Sequence, residues 1–368
     1  MWNGPDVLHL VAVVQLTLIA AVLLREHRRD PSALASVFFI GAIVAHLLLP
    51  VVARRGVPAS LVHPLVPLGA AVPYAFWLLV KVHFDDDFRV RPRHGLGLAA
   101  FMVFHYLAWL AGTGALATPL LLGGPTPGQW TIGPTIVSVA LMVHALLVVA
   151  MGARSDLVVP RVRLRYVVLV LSGVYVLVEL AAETAFGEPF SAAGIGLGVH
   201  AVSTCILVFY VSFLCLRMRP EALKPAPASV GDVLVLDPAL EARLRGLMEE
   251  ERAYREEGLT IAALARKLET HEHKVRQLIN SRLGYRNFNA FLHRYRIEEA
   301  RTVLSDPARS HVGVAQVAYQ VGYRSLGPFN KAFKELTGAT PTEFRAARLA
   351  AAAAEPPPRP AARGGIAS

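Results

Sequence analysis

Charge and cysteine are both scarce in this sequence. Only 17% of the 368 residues are charged, against about a quarter in an average soluble domain, while 54% are hydrophobic. These values argue against a disordered chain and against a soluble enzyme of ordinary composition. The two cysteines, Cys205 and Cys215, both lie in an apolar run. That placement excludes a disulfide framework and a cysteine-based zinc module.

The motifs of the common nucleotide-binding and hydrolytic enzymes are missing as well. The sequence has no P-loop, no Gly-x-Gly-x-x-Gly after a strand, no Gly-x-Ser-x-Gly and no His-Glu-x-x-His. We therefore expect a protein that is not an enzyme and that carries no cofactor.

What charge there is lies mostly in the C-terminal part. Residues 1–216 hold 13 Lys and Arg with 10 Asp and Glu, whereas residues 217–368 hold 24 and 17. The first part contains runs of about 20 apolar residues, the length that crosses a bilayer as a helix. We predict seven spans, at approximately 7–24, 33–52, 60–83, 95–117, 130–151, 164–186 and 191–216. The third is the least regular because it contains Pro64, Pro67 and Pro73.

Basic residues predict how these spans are oriented. Loops retained in the cytoplasm are rich in Lys and Arg. Thirteen such residues lie on the side of the first, third and fifth loops and the exit of the last span, against Arg54 and Arg55 on the other side. This bias places the N-terminus outside and the C-terminal domain in the cytoplasm. The expected location is therefore the cytoplasmic membrane, with multiple passes through the lipid bilayer.

Several ionisable side chains fall inside the predicted spans, where charge is costly and commonly functional. They are His46, His63, His105, His144, Glu179, Glu183 and His200. Three interpretations remain open. The side chains hydrogen-bond between helices, or they line a pocket for a small ligand, ion or proton, or they bind a metal such as zinc and catalyse hydrolysis. No closely spaced His pair marks a metal site, and we therefore predict no metal ligands among these residues.

Acidic residues 85–87 form a run in a predicted cytoplasmic loop. A carboxylate triplet could hold a divalent cation with help from His83. We favour the alternative of a solvated turn beside the neighbouring arginines, since short charge runs are usually solvated.

The C-terminal part divides into a linker, a domain and a tail. A proline-rich linker covers residues 217–237, and an Ala/Pro-rich tail predicted to be disordered covers 347–368. Residues 238–346 between them contain two helix-turn-helix patterns, with turns at 268–270 and 321–323. Ala265 and Ala318 occupy equivalent places 53 residues apart, where a small residue lets two helices cross closely. The first turn has Glu269 where the second has Gly322.

The closing stretch carries a specific motif. It comprises Ala318–Ser325, Phe329–Lys334 and Gly338–Arg345, together with Ile279–Gly284 earlier in the domain. On these residues, 240–345 resembles the DNA-binding domain of the AraC/XylS family of bacterial transcription regulators. The apolar part is similar to AraC-type regulators fused to multi-span membrane domains. Glu269 and the pair Gly327-Pro328 depart from the family pattern.

The resemblance implies that the second helix of each pattern enters the major groove of promoter DNA. The residues implied to contact bases are His273, Arg276, Gln277, Asn280, Arg324, Ser325, Asn330 and Lys331. Phosphate contacts are implied for Arg266, Lys267, Lys274 and Lys334. Seven apolar positions are expected in the core instead: Leu264, Leu268, Val275, Leu278, Ile279, Phe329 and Phe333.

The predicted architecture is all-α, with a seven-helix transmembrane bundle followed by a cytoplasmic double helix-turn-helix domain. The predicted function is a membrane-embedded, one-component transcription regulator that binds double-stranded DNA and is controlled by a signal in the membrane domain. Both a monomer and a homodimer are compatible with this function. The competing hypothesis is a His/Glu-based membrane metal-binding protein or hydrolase with an attached regulatory module.

Overall fold

The computed structural model describes residues 4–113, 132–186, 198, 201–206, 208 and 238–354, without the side chains of 53, 59, 176–186 and 352–354. Every regular element within these residues is helical. The chain forms two compact units, and each is described by itself. The first unit comprises Met1–Arg154 and Pro160–Lys224, and the second comprises Ser155–Val159 and Pro225–Ser368.

Eight helices with defined bounds lie in the described part of the first unit, and residues 198, 201–206 and 208 are helical as well. The eight helices are α1 Gly4–His27, α2 Pro31–Arg54, α3 Ala59–Val62, α4 Leu65–Ala70, α5 Val72–Phe84, α6 Pro92–Gly112, α7 Ile132–Ser155 and α8 Val159–Phe186. Among the residues described, α1, α2, α6 and α7 are long and apolar enough to cross a membrane. The segment 60–84 makes a fifth candidate if its two parts, Ser60–Ala70 and Val72–Phe84, count as one bent span. The predicted seventh span, 191–216, lies mostly outside the described residues.

The third predicted span is broken, as its prolines suggested. Helices α4 and α5 meet at a bend of 41°. Pro73 lies in the first turn of α5, where a missing backbone donor costs nothing because that N–H would have no helical partner. The break therefore follows from the sequence.

Small residues bring the helices of the first unit together, while larger apolar ones face outward. Ala42, Ala71 and Ala75 are fully buried where α2 packs on the broken span. By contrast, Leu18 on α1 and Met151 on α7 are 63% and 65% exposed. An apolar outer face of this kind is typical of helices surrounded by lipid.

The described part of the second unit contains seven α-helices, besides two short 3-10 helices at Ala253–Arg255 and Pro307–Arg309. The α-helices are α9 Pro238–Glu249, α10 Ile261–Lys267, α11 Glu272–Gln277, α12 Phe288–Ser305, α13 Val314–Gln320, α14 Leu326–Thr337 and α15 Pro341–Ala354. One π-helical turn, Leu278–Arg282, extends α11. Helix α12 joins two hydrophobic clusters, since Phe288, Phe291 and Leu292 belong to the first and its later half to the second. The seven positions predicted as core are all 2% exposed or less, which confirms that prediction.

Helix α15 differs from the predicted tail. It continues to Ala354, past residue 346 where the disordered tail was expected to begin. Alanine has the highest helix propensity, so the run 350–354 extends the helix that Pro341 starts. Residues 217–237 and 355–368, predicted as linker and tail, lie outside the described residues.

Candidate nucleic-acid interface

Helices α10 and α11 form the first of two similar helix pairs in the second unit. Thr260 caps α10, because its side-chain oxygen accepts a hydrogen bond from Ala263 N at 3.1 Å. At the turn, Thr270 N donates to Ala265 O at 2.9 Å, and Glu269 takes a left-handed conformation with φ of 50°. The cap residue of α11 is His271, without a side-chain capping bond.

Helices α13 and α14 form the second pair with the same turn. Tyr323 N donates to Ala318 O at 3.0 Å, and Gly322 has φ of 95°. The residues of this hydrogen bond, and the left-handed residue, each lie 53 positions after their counterparts in the first pair. The two turns therefore share one backbone design, whether or not glycine stands in it.

Glycine is required only in the second turn. A Cβ atom on Gly322 would lie 2.6 Å from Arg255 O and 2.8 Å from Tyr254 O, which is closer than real Cβ contacts come. The Glu269 side chain is 87% exposed, so the first turn leaves room for it. The departure noted at this position thus has a steric explanation.

The second turn is one residue longer than the first. Helix α14 is capped by Ser325, which is 54 rather than 53 positions after His271. From the caps onward, the buried residues Val275, Leu278 and Ile279 correspond to Phe329, Ala332 and Phe333. In this register Arg276 corresponds to Asn330, and Gln277 corresponds to Lys331. Four of the predicted base-contacting residues therefore occupy two equivalent positions, one residue of each helix pair at each position.

Most predicted DNA contacts of the second pair are open to solvent. The side chains of Arg324 and Lys331 are 73% and 62% exposed, and Asn330 is exposed beside them. Their ion pairs are loose, at 4.0 Å from Arg324 Nε to Glu257 and 3.7 Å from Lys331 Nζ to Glu335. Surface pairs of this kind are weak and release their cation at little cost.

The first pair holds two of its predicted DNA contacts in internal bonds. Arg276 is only 14% exposed, and its guanidinium donates to the backbone carbonyl of Asp156. Asn280 donates from its side-chain amide to Tyr285 O at 2.9 Å, which closes the end of the π-helical turn. His273 is exposed and Gln277 is half-buried. Asn280 thus has a structural role in this conformation.

The four predicted phosphate contacts are all exposed cations. They are Arg266, Lys267, Lys274 and Lys334. Of these, Lys267 forms an ion pair with Glu256 at 3.1 Å, with both side chains nearly half exposed. Exposed cations beside the second helix of a pair are suited to hold a DNA backbone.

A buried arginine in α12 secures the second turn, and sequence analysis missed it. Arg296 is 7% exposed and donates to Tyr254 O at 2.7 Å and Glu256 O at 3.0 Å. Its guanidinium lies 5.4 Å from the Tyr323 ring. Burial lowers the pKa of Arg296 from its usual value, and the two carbonyls compensate the buried charge. The sequence does contain a signal for this role. Arg296 lies four positions from both Leu292 and Ala300, so it falls on the apolar stripe of α12.

The histidines predicted to line a membrane pocket bond to separate partners. His63 Nδ1 lies 3.1 Å from the Tyr106 hydroxyl, His105 Nε2 lies 3.1 Å from the Ser138 hydroxyl, and Trp77 Nε1 donates to His144 Nδ1 at 2.7 Å. Each contact joins two segments, as the interhelical interpretation expects. His46 lies exposed on α2. His200 and the side chains of Glu179 and Glu183 lie outside the described residues.

Within the described residues, no group of three His, Cys, Asp or Glu side chains is placed so that it could hold a metal ion. The histidines of α2 to α7 therefore give the metal-binding hypothesis no geometric support. The acidic run 85–87 does not form such a group either. Asp86 instead accepts two hydrogen bonds from Arg161, at 2.6 and 2.9 Å, rather than forming a purely solvated turn.

A second buried arginine, Arg165, lies next to Arg161 on α8. It donates to Phe84 O at 2.6 Å and to Val148 O and Val149 O at 3.2 Å each. A Cβ atom on Gly152 would collide with this guanidinium. From the sequence Arg165 counted only as a loop charge, but it joins the C-terminal ends of α5 and α7 to the start of α8.

Comparison with known families identifies the second unit. Residues 264–347 match a family model described as a helix-turn-helix domain, of the AraC type. No curated protein and no solved structure matches the chain. The match covers less than a quarter of the chain and leaves the first unit unassigned. It supports an AraC-family regulator that binds double-stranded DNA in a sequence-specific manner, and it is consistent with a regulator that is not an enzyme.

Proposed function

We propose that this protein is a membrane-bound, one-component transcription regulator that reads promoter DNA with both helix pairs. The observation that carries the proposal is the matched placement of Arg276 and Gln277 with Asn330 and Lys331. In both helices these residues lie five and six positions after the helix cap. Both helices also pack into their cores through buried residues at equivalent positions.

Both second helices suit a major groove. Two such helices held on one unit read successive grooves about one DNA turn apart. Arg bonds guanine through O6 and N7, while Asn and Gln bond adenine through N6 and N7. Helix α12 contributes to the cores of both pairs, so it holds them in one unit.

We further propose that the first unit crosses the bacterial cytoplasmic membrane seven times and receives the controlling signal. The apolar outward faces of α1 and α7 support burial in lipid. Helix α8 has 28 residues, enough for a sixth span. The apolar run 191–216 supplies the seventh in this proposal.

The proposed orientation puts the DNA-binding unit in the cytoplasm. Residues 155–159 join α7 to α8, and they group with the second unit by their contacts. The loop also carries Arg154, Arg161, Arg163 and Arg165 at the ends of these two helices. That agrees with the retention of basic loops in the cytoplasm.

The test is a map of chromosomal DNA bound by the full-length protein in its native membrane. We expect discrete sites with the unaltered chain and loss of those sites in an Asn330→Ala/Lys331→Ala variant. Arg245→Ala is the matched control, since it removes an equally exposed charge from α9.

The proposal would be overturned if the protein is intact in the membrane but no chromosomal DNA sites are enriched under several growth conditions. Sites that survive Asn330→Ala/Lys331→Ala would show that α14 does not read DNA bases. Retention of all sites with Arg245→Ala ties the effect to the α14 surface rather than to net charge.

A further inference from the structure

The second unit includes a short segment from much earlier in the chain, Ser155–Val159, which we name the docking segment. It is the connection between α7 and α8. Leu157 within it is 1% exposed and belongs to the hydrophobic cluster of the first helix pair, together with Val275, Leu278 and Ile279. The segment therefore completes the core of this pair.

Backbone bonds fix the docking segment in place. Leu157 N donates to Arg286 O at 3.0 Å, and Asp156 pairs with Asn287 in an isolated antiparallel bridge. The Asp156 carboxylate accepts a hydrogen bond from Val158 N at 3.0 Å, which shapes the segment into a turn. Side-chain burial and backbone pairing thus act on the same five residues.

The docking segment also occupies the guanidinium of Arg276. Nη1 of this arginine donates to the Asp156 carbonyl, and Nη2 lies 3.5 Å from Glu272. A guanidinium that reads guanine must present its donors in a plane to two acceptors on the base edge. Arg276 cannot present them while Asp156 holds it. Asn330, at the corresponding position of the second pair, is exposed.

We propose that the docking segment is an intramolecular inhibitor of the first helix pair. This proposal rests on the proposed DNA-binding function and adds its regulation. While the segment is docked, the second pair is available for DNA and the first is not. Because the segment is covalently joined to the ends of α7 and α8, a displacement of these ends withdraws Leu157 and frees Arg276. Signal and DNA reading are coupled through five residues, without phosphorylation.

A reversible disulfide between Asp156→Cys and Asn287→Cys tests the proposal. The pattern of the bridge is that of a non-hydrogen-bonded antiparallel pair, in which Cα atoms are about 4.5 Å apart. This separation lies within the range that a disulfide spans. The background carries Cys205→Ala and Cys215→Ala, so that only the introduced pair can react.

The measurement uses the full-length chain in lipid nanodiscs. The probe is duplex DNA selected from a random pool by the reduced double-cysteine protein. We expect oxidation to weaken binding at least about tenfold and to remove protection from the part of the footprint read by α11, with full recovery on reduction. Each single-cysteine variant is a control and is expected to bind equally under both conditions.

The possible outcomes distinguish a failure of the docking proposal from a failure of the proposed DNA-binding function. Equal affinity and equal footprint of the oxidised and reduced forms would overturn the docking proposal alone. Failure of the disulfide to form, shown by labelling of free thiols, would overturn the docked geometry. No selected DNA in either form would overturn both the DNA-binding function and its regulation.

Discussion

The two helix pairs of the C-terminal unit share one backbone design. They differ in the contacts that their predicted base-contacting residues make. Both turns have the same hydrogen bond, from Thr270 N to Ala265 O and from Tyr323 N to Ala318 O. In the first pair Arg276 is held by the docking segment, whereas in the second Asn330 is exposed. The pairs are therefore equivalent in fold and unequal in availability.

The comparison also shows what glycine contributes to such a turn. Glu269 takes the left-handed conformation in open space, while Gly322 takes it against the carbonyls of Tyr254 and Arg255. The left-handed turn itself costs a non-glycine residue about 1–2 kcal/mol. Crowding by neighbouring backbone, rather than the turn alone, makes glycine necessary in the second pair.

Gly322→Ala should give the largest effect. The left-handed backbone and the collision with the two carbonyls together should lower the free energy of unfolding of the C-terminal unit by roughly 2–4 kcal/mol. Pulse proteolysis of the full-length protein in nanodiscs measures it. Gly338→Ala is the control, since Gly338 has φ of 81° with no neighbour within 4 Å of a Cβ. An equal loss in both variants would contradict the role of crowding.

Leu157→Ala should weaken docking of residues 155–159 and so make the two helix pairs more equally available for DNA. Loss of buried methyl groups from the cluster favours the undocked state. We expect the affinity for selected duplex DNA to rise about tenfold, which is about 1.4 kcal/mol. Leu283→Ala truncates the same cluster outside the docking segment. A rise in affinity with that variant too would point to general loosening of the core instead.

Acid should loosen the surroundings of the second turn selectively. Burial tends to raise the pKa of Glu299, but hydrogen bonds and charge from Arg255 outweigh it, and the pKa is lowered. A carboxyl group with a lowered folded-state pKa stabilises the fold above its unfolded pKa and loses that contribution as pH falls through the folded value. We therefore expect stability to drop by about 1 kcal/mol below about pH 4.

The matched variant for this prediction is Glu299→Gln, which keeps the shape and removes the titration. Its unfolding free energy, measured by pulse proteolysis between pH 7 and pH 3, should fall less steeply than that of the unaltered chain. Identical slopes for the two proteins would assign the acid sensitivity to other carboxyl groups.

Glu269→Gly should give the smallest effect, and of opposite sign to Gly322→Ala. Glycine relieves the left-handed backbone without opening a cavity, because the Glu269 side chain is 87% exposed. We expect a gain of about 1 kcal/mol in unfolding free energy, less the entropy that glycine adds to the unfolded chain. Glu269→Ala should leave stability nearly unchanged. A loss on Glu269→Gly would mean that this side chain stabilises the turn.

The sequence by itself determined the features that depend on local pattern. The division into an apolar and a charged part follows from composition, and the bend near Pro73 follows from proline chemistry. The seven core positions follow from helical periodicity, which places every third or fourth residue on one face. The 53-residue spacing of the two turns is likewise visible in Ala265 and Ala318.

The tertiary structure alone decided which of the predicted base-contacting residues are held in internal bonds. Arg276 meets a carbonyl 120 positions earlier in the chain, and Arg161 meets Asp86 across 75 positions. The longer second turn, which aligns Arg276 with Asn330, appears only in the cap positions. A guanidinium bonds whatever acceptor the fold brings within about 3 Å, and no local periodicity records that acceptor.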